Sequence, residues 1–79
     1  MTVTVRYFAA LAEEAGTSEE TVESSAVTVA ELWRELGLRH PFTLDARLIL
    51  AAQADEFCPW EGKLVPGQTV AFMPPVAGG

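Results

Sequence analysis

The sequence predicts an α+β fold, with two helices packed on one face of a mixed sheet of four to five strands. Three observations carry that expectation. The chain opens and closes on strand-like segments, Val3, Val5 and Tyr7 alternating with polar residues near the start and Thr69-Val70-Ala71-Phe72-Met73 near the end. Between them lie two stretches with apolar residues at helical spacing: Phe8, Leu11, Ala12 and Ala15, then Val29, Leu32, Trp33 and Leu36. Finally, Leu48-Ile49-Leu50-Ala51-Ala52 is a continuous apolar run, short enough for a strand buried on both faces.

Taken in order, residues 2–7 read as the first strand and residues 8–16 as a short helix, ended by Gly16 in the left-handed position that glycine tolerates. Glu20-Thr21-Val22-Glu23 reads as a short second strand, exposed on one side, with a turn at Ser24-Ser25. Thr28-Val29-Ala30-Glu31 is a capping box, with Val27 and Leu32 placed for a hydrophobic staple, so a second helix starts there. Gly37 is expected to close it, with Arg34 and Glu35 facing solvent. Residues 38–46 suit an irregular connection, because Pro41 disfavours helix at His40. Residues 48–52 are expected as the central strand. A turn at 54–56 leads to a short edge strand, broken by Pro59, and Pro66-Gly67 makes a turn before the last strand. Pairing the first and last strands beside the apolar run, with both helices on one side, gives the β-grasp or ubiquitin-like arrangement.

Composition bounds the function. Seventy-nine residues make one domain with a small core, expected over 1–73 and followed by an extended, flexible tail at 74–79. The net charge of −6, from 11 acidic and 5 basic residues, lacks the basic footprint of a nucleic-acid binder. It fits a basic protein partner, or solubility alone. With no apolar run of membrane-span length and no signal peptide, a soluble cytoplasmic protein with no membrane partner is expected. The single cysteine, Cys58, excludes an internal disulfide framework.

Side-chain chemistry is sparse. His40 is the one histidine, and Cys58 sits in an apolar stretch where a buried, inert thiol is the expectation. One histidine and one cysteine cannot supply a four-ligand zinc site, so no metal is expected. The pairs Glu13-Glu14, Glu19-Glu20 and Asp55-Glu56 read as solvated positions, and the glycines at 16, 37, 62 and 67 are isolated rather than gathered into a phosphate loop. Trp33 reads as core; Trp60 fits either the cover of a sheet edge or a partner contact.

What remains is the end of the chain, Pro74-Pro75-Val76-Ala77-Gly78-Gly79. Two prolines favour an extended segment, and two glycines let other atoms approach the backbone closely. With Gly79 as terminus, its carboxylate is the reactive group. A carboxylate is a poor electrophile until joined to AMP through ATP; the mixed anhydride can then be attacked by sulfur or nitrogen. Proline stiffening would lower the entropy lost on threading into an enzyme channel.

With these motifs in hand, the chain resembles the small subunit of molybdopterin synthase, the MoaD branch of the ubiquitin-like sulfur carriers. The resemblance is carried by Val5-Arg6-Tyr7-Phe8-Ala9, Glu13-Glu14-Ala15-Gly16, Thr28-Val29-Ala30-Glu31-Leu32 and above all Val70 through Gly79. It implies a sulfur carrier of molybdenum cofactor biosynthesis that binds no cofactor and leaves catalytic side chains to its large subunit. Gly79 would be adenylated by an E1-like adenylyltransferase using ATP, then converted to a thiocarboxylate by a sulfurtransferase donor. It also implies insertion of Pro74, Pro75, Val76, Ala77 and Gly78 into the large subunit, where the sulfur reaches cyclic pyranopterin monophosphate. By position Phe8, Phe57 and Met73 match the family's apolar partner surface, although Phe8 fits the helix stripe equally well, and core and interface both stand open for Phe8 and Phe57. Gln53-Ala54-Asp55 departs from the asparagine and polar turn frequent in the family, which bears on how the turn closes and how Phe57 is presented. Three other readings stand beside it. They are a sulfur carrier for thiamine or tRNA thiolation, a ubiquitin-like modifier conjugated through Gly79, and a plain binding module. Residues 8–16 argue against the thiazole carrier, which tends to lack a helix between its first strands.

Overall fold

The computed structural model describes residues 1–75. The expectations placed on Val76, Ala77, Gly78 and Gly79, and with them most of the proposed tail, lie outside the described residues. Strand β1 runs Thr2–Tyr7, helix α1 Ala10–Ala15, strand β2 Glu19–Glu23, helix α2 Val29–Gly37, and strands β3, β4 and β5 run Leu50–Gln53, Glu56–Cys58 and Thr69–Met73. One five-stranded sheet results, in the order β2-β1-β5-β3-β4. The first and last strands pair in parallel, Val5 opposite Val70 and Tyr7 opposite Phe72; the other pairings are antiparallel. This is the β-grasp topology that the element order predicts.

A single core lies between the sheet and the helices. Val3, Val5, Tyr7, Val70 and Phe72 of the sheet meet Leu11 of α1 and Val29, Leu32 and Leu36 of α2, all fully or almost fully buried. Burying one large apolar side chain contributes about 1.5–3 kcal/mol, so this set dominates the stability of a domain this small. The capping box forms as expected. Thr28 Oγ1 accepts from the Glu31 N–H, and Glu31 Oε1 accepts from the Thr28 N–H and, at 2.7 Å, from the Val27 N–H. Gly16 caps α1 at φ 76°, its N–H donating to the Ala12 carbonyl.

Several expectations need correction. The last strand, not the apolar run, is the centre of the sheet. Leu48, expected to open the strand, instead ends a 3-10 turn over Ala46–Leu48, because the Asp45 carboxylate accepts from the Arg47 N–H and captures its guanidinium. β3 therefore starts only at Leu50, and Leu48 and Leu50 are exposed while Ile49 and Ala51 are buried. α1 starts at Ala10, leaving Phe8 outside the helix. Gly37 is the last residue of α2 and Leu38 caps it in right-handed geometry. Val27 is exposed rather than buried by a staple. Glu35 is half-buried instead of solvated, because it accepts hydrogen bonds from the Ser24 and Ser25 hydroxyls. The connection at 38–45 is irregular but packed: Phe42 and Leu44 rest on the core, and Thr43 hydrogen-bonds to the Glu14 carboxylate.

Candidate functional site

Because both helices cover the same side of the sheet, the other side is open. Side chains alternate along a strand, so the open side receives the residues the core does not. The pairings put Glu19, Arg6, Ala71, Ala52 and Phe57 in one row across all five strands. Met73 of β5 sits opposite Leu50 of β3 in the next row. The alanines are too small to fill the surface between the larger side chains. A hollow of about 500 Å³ results, floored by Ala52 and Ala71 and bordered by Arg6, Phe8, Phe57 and Met73.

Each bordering residue is set by local geometry. Phe8 still follows the β1 line, its N–H donating to the Phe72 carbonyl at 3.2 Å. Ala9 then turns the chain sharply at φ 52°, ψ −129°, a conformation glycine adopts far more readily than alanine. The turn throws α1 to the core side and leaves Phe8 behind on the surface. The Arg6 guanidinium lies 5.3 Å from the Phe8 ring centroid and 3.6 Å from the Glu19 carboxylate. Phe57 is 72% exposed on the edge strand β4. It is presented by a tight hairpin in which Ala54 and Asp55 both take positive φ, 52° and 65°, the twist a two-residue turn needs. Gln53 anchors that hairpin, donating to the Lys63 carbonyl and accepting from the Val65 N–H, each at 3.0 Å.

The structure thus brings Phe8, Phe57 and Met73 to one face, beside the point where the chain leaves the sheet. Phe8 and Phe57 belong to the surface and not the core. Pro74 is half-buried and Pro75 exposed. Arg6, Leu50, Ala52 and Ala71 were not singled out by sequence. The signal was available, since each sits one position out of phase with a buried neighbour in a strand.

A separate group of titratable side chains meets at Glu20, away from this face. His40 Nε2 and the Tyr7 hydroxyl both meet Glu20 Oε2, at 2.6 and 2.5 Å. Burial pushes the Glu20 carboxyl up, but those hydrogen bonds and the charges of His40 and Arg39 outweigh it and hold it below the usual range. Burial, reinforced by Glu20, pushes the Tyr7 phenol far up. Burial also raises the Cys58 thiol, which disfavours the nucleophilic thiolate. Among the described residues, no three His, Cys, Asp or Glu side chains gather as a metal site, and no helix is long and apolar enough to cross a membrane.

Topology and open face together define a ubiquitin-like β-grasp domain that displays an apolar surface at the root of its C-terminal segment. The chain belongs to the ThiS family, whose match spans residues 5–79. It is 35% identical to the human molybdopterin synthase sulfur carrier subunit, over 98% of this chain and 93% of that protein. The resemblance to the MoaD branch therefore holds over nearly the full length. Among solved structures, SAMP1 from Haloferax volcanii superposes at a TM-score of 0.81 with 27% identity, covering the whole of both chains. A chain of the complex of subunits 1 and 2 of the molybdopterin-converting factor from Helicobacter pylori 26695 matches at 0.70 and 22% identity over both full lengths, a likeness of fold.

Proposed function

We propose that this protein is a sulfur carrier of molybdenum cofactor biosynthesis, acting through the Gly79 carboxylate. The observation that supports it most is the 35% identity with the human sulfur carrier subunit across nearly the whole chain. The fold suits the role. A central strand, held on both sides, leads directly into Pro74 and Pro75, and the hollow bordered by Phe8, Phe57 and Met73 lies beside that exit. A large synthase subunit docking on Phe8, Phe57 and Met73 would receive the segment Val76 to Gly79 in its own active site. Gly78 and Gly79 then pass where side chains would clash.

The chemistry runs through partner enzymes. A carboxylate oxygen of Gly79 attacks the α-phosphorus of ATP and expels pyrophosphate, giving the acyl adenylate on an E1-like enzyme. The terminal sulfur of a donor persulfide attacks the acyl carbon and expels AMP. A thiol reductant then cleaves the resulting acyl disulfide and leaves the thiocarboxylate. That sulfur bonds to cyclic pyranopterin monophosphate, and water then cleaves the acyl–sulfur bond, leaving the sulfur on the pterin and returning the carboxylate. The carrier binds no cofactor itself; ATP is consumed by the activating enzyme.

The likeness to SAMP1, a small archaeal modifier protein, favours one second reading, conjugation of Gly79 to amino groups of other proteins. Intact-mass spectrometry separates the two after incubation with the cognate E1-like enzyme, ATP and a persulfide donor. Exchange of one oxygen for one sulfur at Gly79 is the expected result. Amide-linked conjugates without that exchange support the modifier. An unchanged mass, with the enzyme active on another carrier, overturns both.

A further inference from the structure

A second cleft lies on the helical side of the domain, across the sheet from the hollow bordered by Phe8 and Phe57. It has a volume of about 310 Å³ and is lined by Ala30, Trp33 and Arg34 of α2, Ala46 and Arg47 of the 3-10 turn, and Trp60. That is the small end of ligand-pocket size, enough for one or two side chains. Both tryptophans of the chain are here. They are braced from the core side, Trp33 stacked on Phe42 at 4.8 Å and Trp60 on Phe72 at 5.8 Å, and they meet each other edge-on at 5.9 Å. Each remains half-buried, its outer part turned to the cleft. Rigid indoles flanking small alanines are the composition of an anchor pocket at protein interfaces, where Trp and Arg are enriched.

Charge identifies the occupant. The chain carries −6 overall, yet the charged members of this lining are both arginines. Arg34 is exposed and, among the described residues, makes no ion pair. Arg47 is held in a fork by the Asp45 carboxylate at 2.8 Å, which offsets its charge and orients its guanidinium, so among the described residues Arg34 is the unpaired cation of this lining. The lining side chains offer hydrogen-bond donors and no acceptor, since Ala has neither and Trp and Arg only donate. A nucleotide would leave its sugar hydroxyls and base amino groups unmatched there, whereas carboxylates need donors alone. We propose that this cleft is a second docking site, taking a partner protein's segment in which an apolar side chain is flanked by Asp or Glu. The site does not depend on the sulfur-carrier reading. It leaves the sheet face and the tail free, so two partners can hold the domain at once.

The test is a titration with a synthetic blocked peptide, one phenylalanine between two pairs of aspartates, read by the two indole N–H resonances and by tryptophan fluorescence. The expected result is saturable, salt-sensitive perturbation of both indoles in the submillimolar range. It should weaken about tenfold in Arg34→Glu, recover in Arg34→Lys, and vanish in Ala30→Phe, which fills the hollow. Backbone spectra of each variant check that the fold is retained. No perturbation at millimolar peptide overturns the proposal, as does equal response to a lysine-flanked peptide or shifts confined to the sheet face. Stronger perturbation of the same indoles by AMP replaces it with a nucleotide site. Concentration-dependent shifts without peptide replace it with self-association.

Discussion

The two faces of the sheet are made by the same strands and differ by one position in phase. On the inner face Val3, Val5, Tyr7, Ala51, Val70 and Phe72 are 4% exposed or less. On the outer face Arg6, Ala71, Ala52 and Phe57 lie side by side, with no helix over them. The inner residues are mostly branched or aromatic and hold the fold. The outer ones include small residues that leave a hollow and two phenylalanines that do not fill it. Stability and display are thus assigned to alternate residues of β1 and β5, and single substitutions should separate them.

The largest expected effect is on the inner face. Phe72→Ala removes a fully buried ring that touches both tryptophans, and should cost about 3–5 kcal/mol in chemical denaturation. A cost below about 1 kcal/mol would break the division of labour. On the outer face, Phe57→Ala should leave stability within about 0.5 kcal/mol, yet weaken binding to the large subunit proposed as its partner by about 2 kcal/mol or more, read by calorimetry. Glu20 sharpens the comparison, as a carboxylate on the inner side of β2, opposite Val5. Because its folded pKa is held below its ordinary value, its contribution is present above the usual carboxylate range and lost as pH falls through the depressed value. Glu20→Gln should therefore cost about 1–3 kcal/mol at neutral pH and flatten the acid limb of stability measured against pH. The smallest effect is at the junction of the two faces. Ala9→Gly relieves the positive-φ turn after Phe8 and should raise stability by about 1 kcal/mol, seen as a higher Tm.

Much of the fold could be read from the sequence because its signals are local. Alternation in residues 3–7, the Thr28–Glu31 box, Gly16 and Pro66-Gly67 each act within a few residues, and the strand, the helix start, the helix end and the turn that they mark lie where expected. The turn at Gly67, φ 85° with Gln68 N–H donating to the Val65 carbonyl, is of this kind. Sheet order is not local. Residues 48–52 are the most apolar run, which suggested the sheet centre, but the parallel pairing with β1 reserves that place for β5. The run itself is split by the Asp45–Arg47 contact, a side-chain capture that hydropathy does not register. At the site, Met73 was legible from position, while Phe8 and Phe57 were each open between core and surface. Phe57 proves 72% exposed on its edge strand. The helical spacing of Phe8 was genuine, but the Ala9 turn removes it from the helix. The alanine floor escaped notice because small residues acquire meaning only beside their cross-strand neighbours.

The parallel β1–β5 pair has a mechanical consequence. A pull on the C-terminal segment, as when it is drawn into a channel, runs along β5. Its hydrogen bonds to β1 on one side and β3 on the other are then loaded together along the strand axis, in shear. An edge strand pulled the same way would be held by one row of hydrogen bonds; this one must break two at once. Traction on the segment would therefore be borne by the whole sheet, leaving the domain folded while its end is handled.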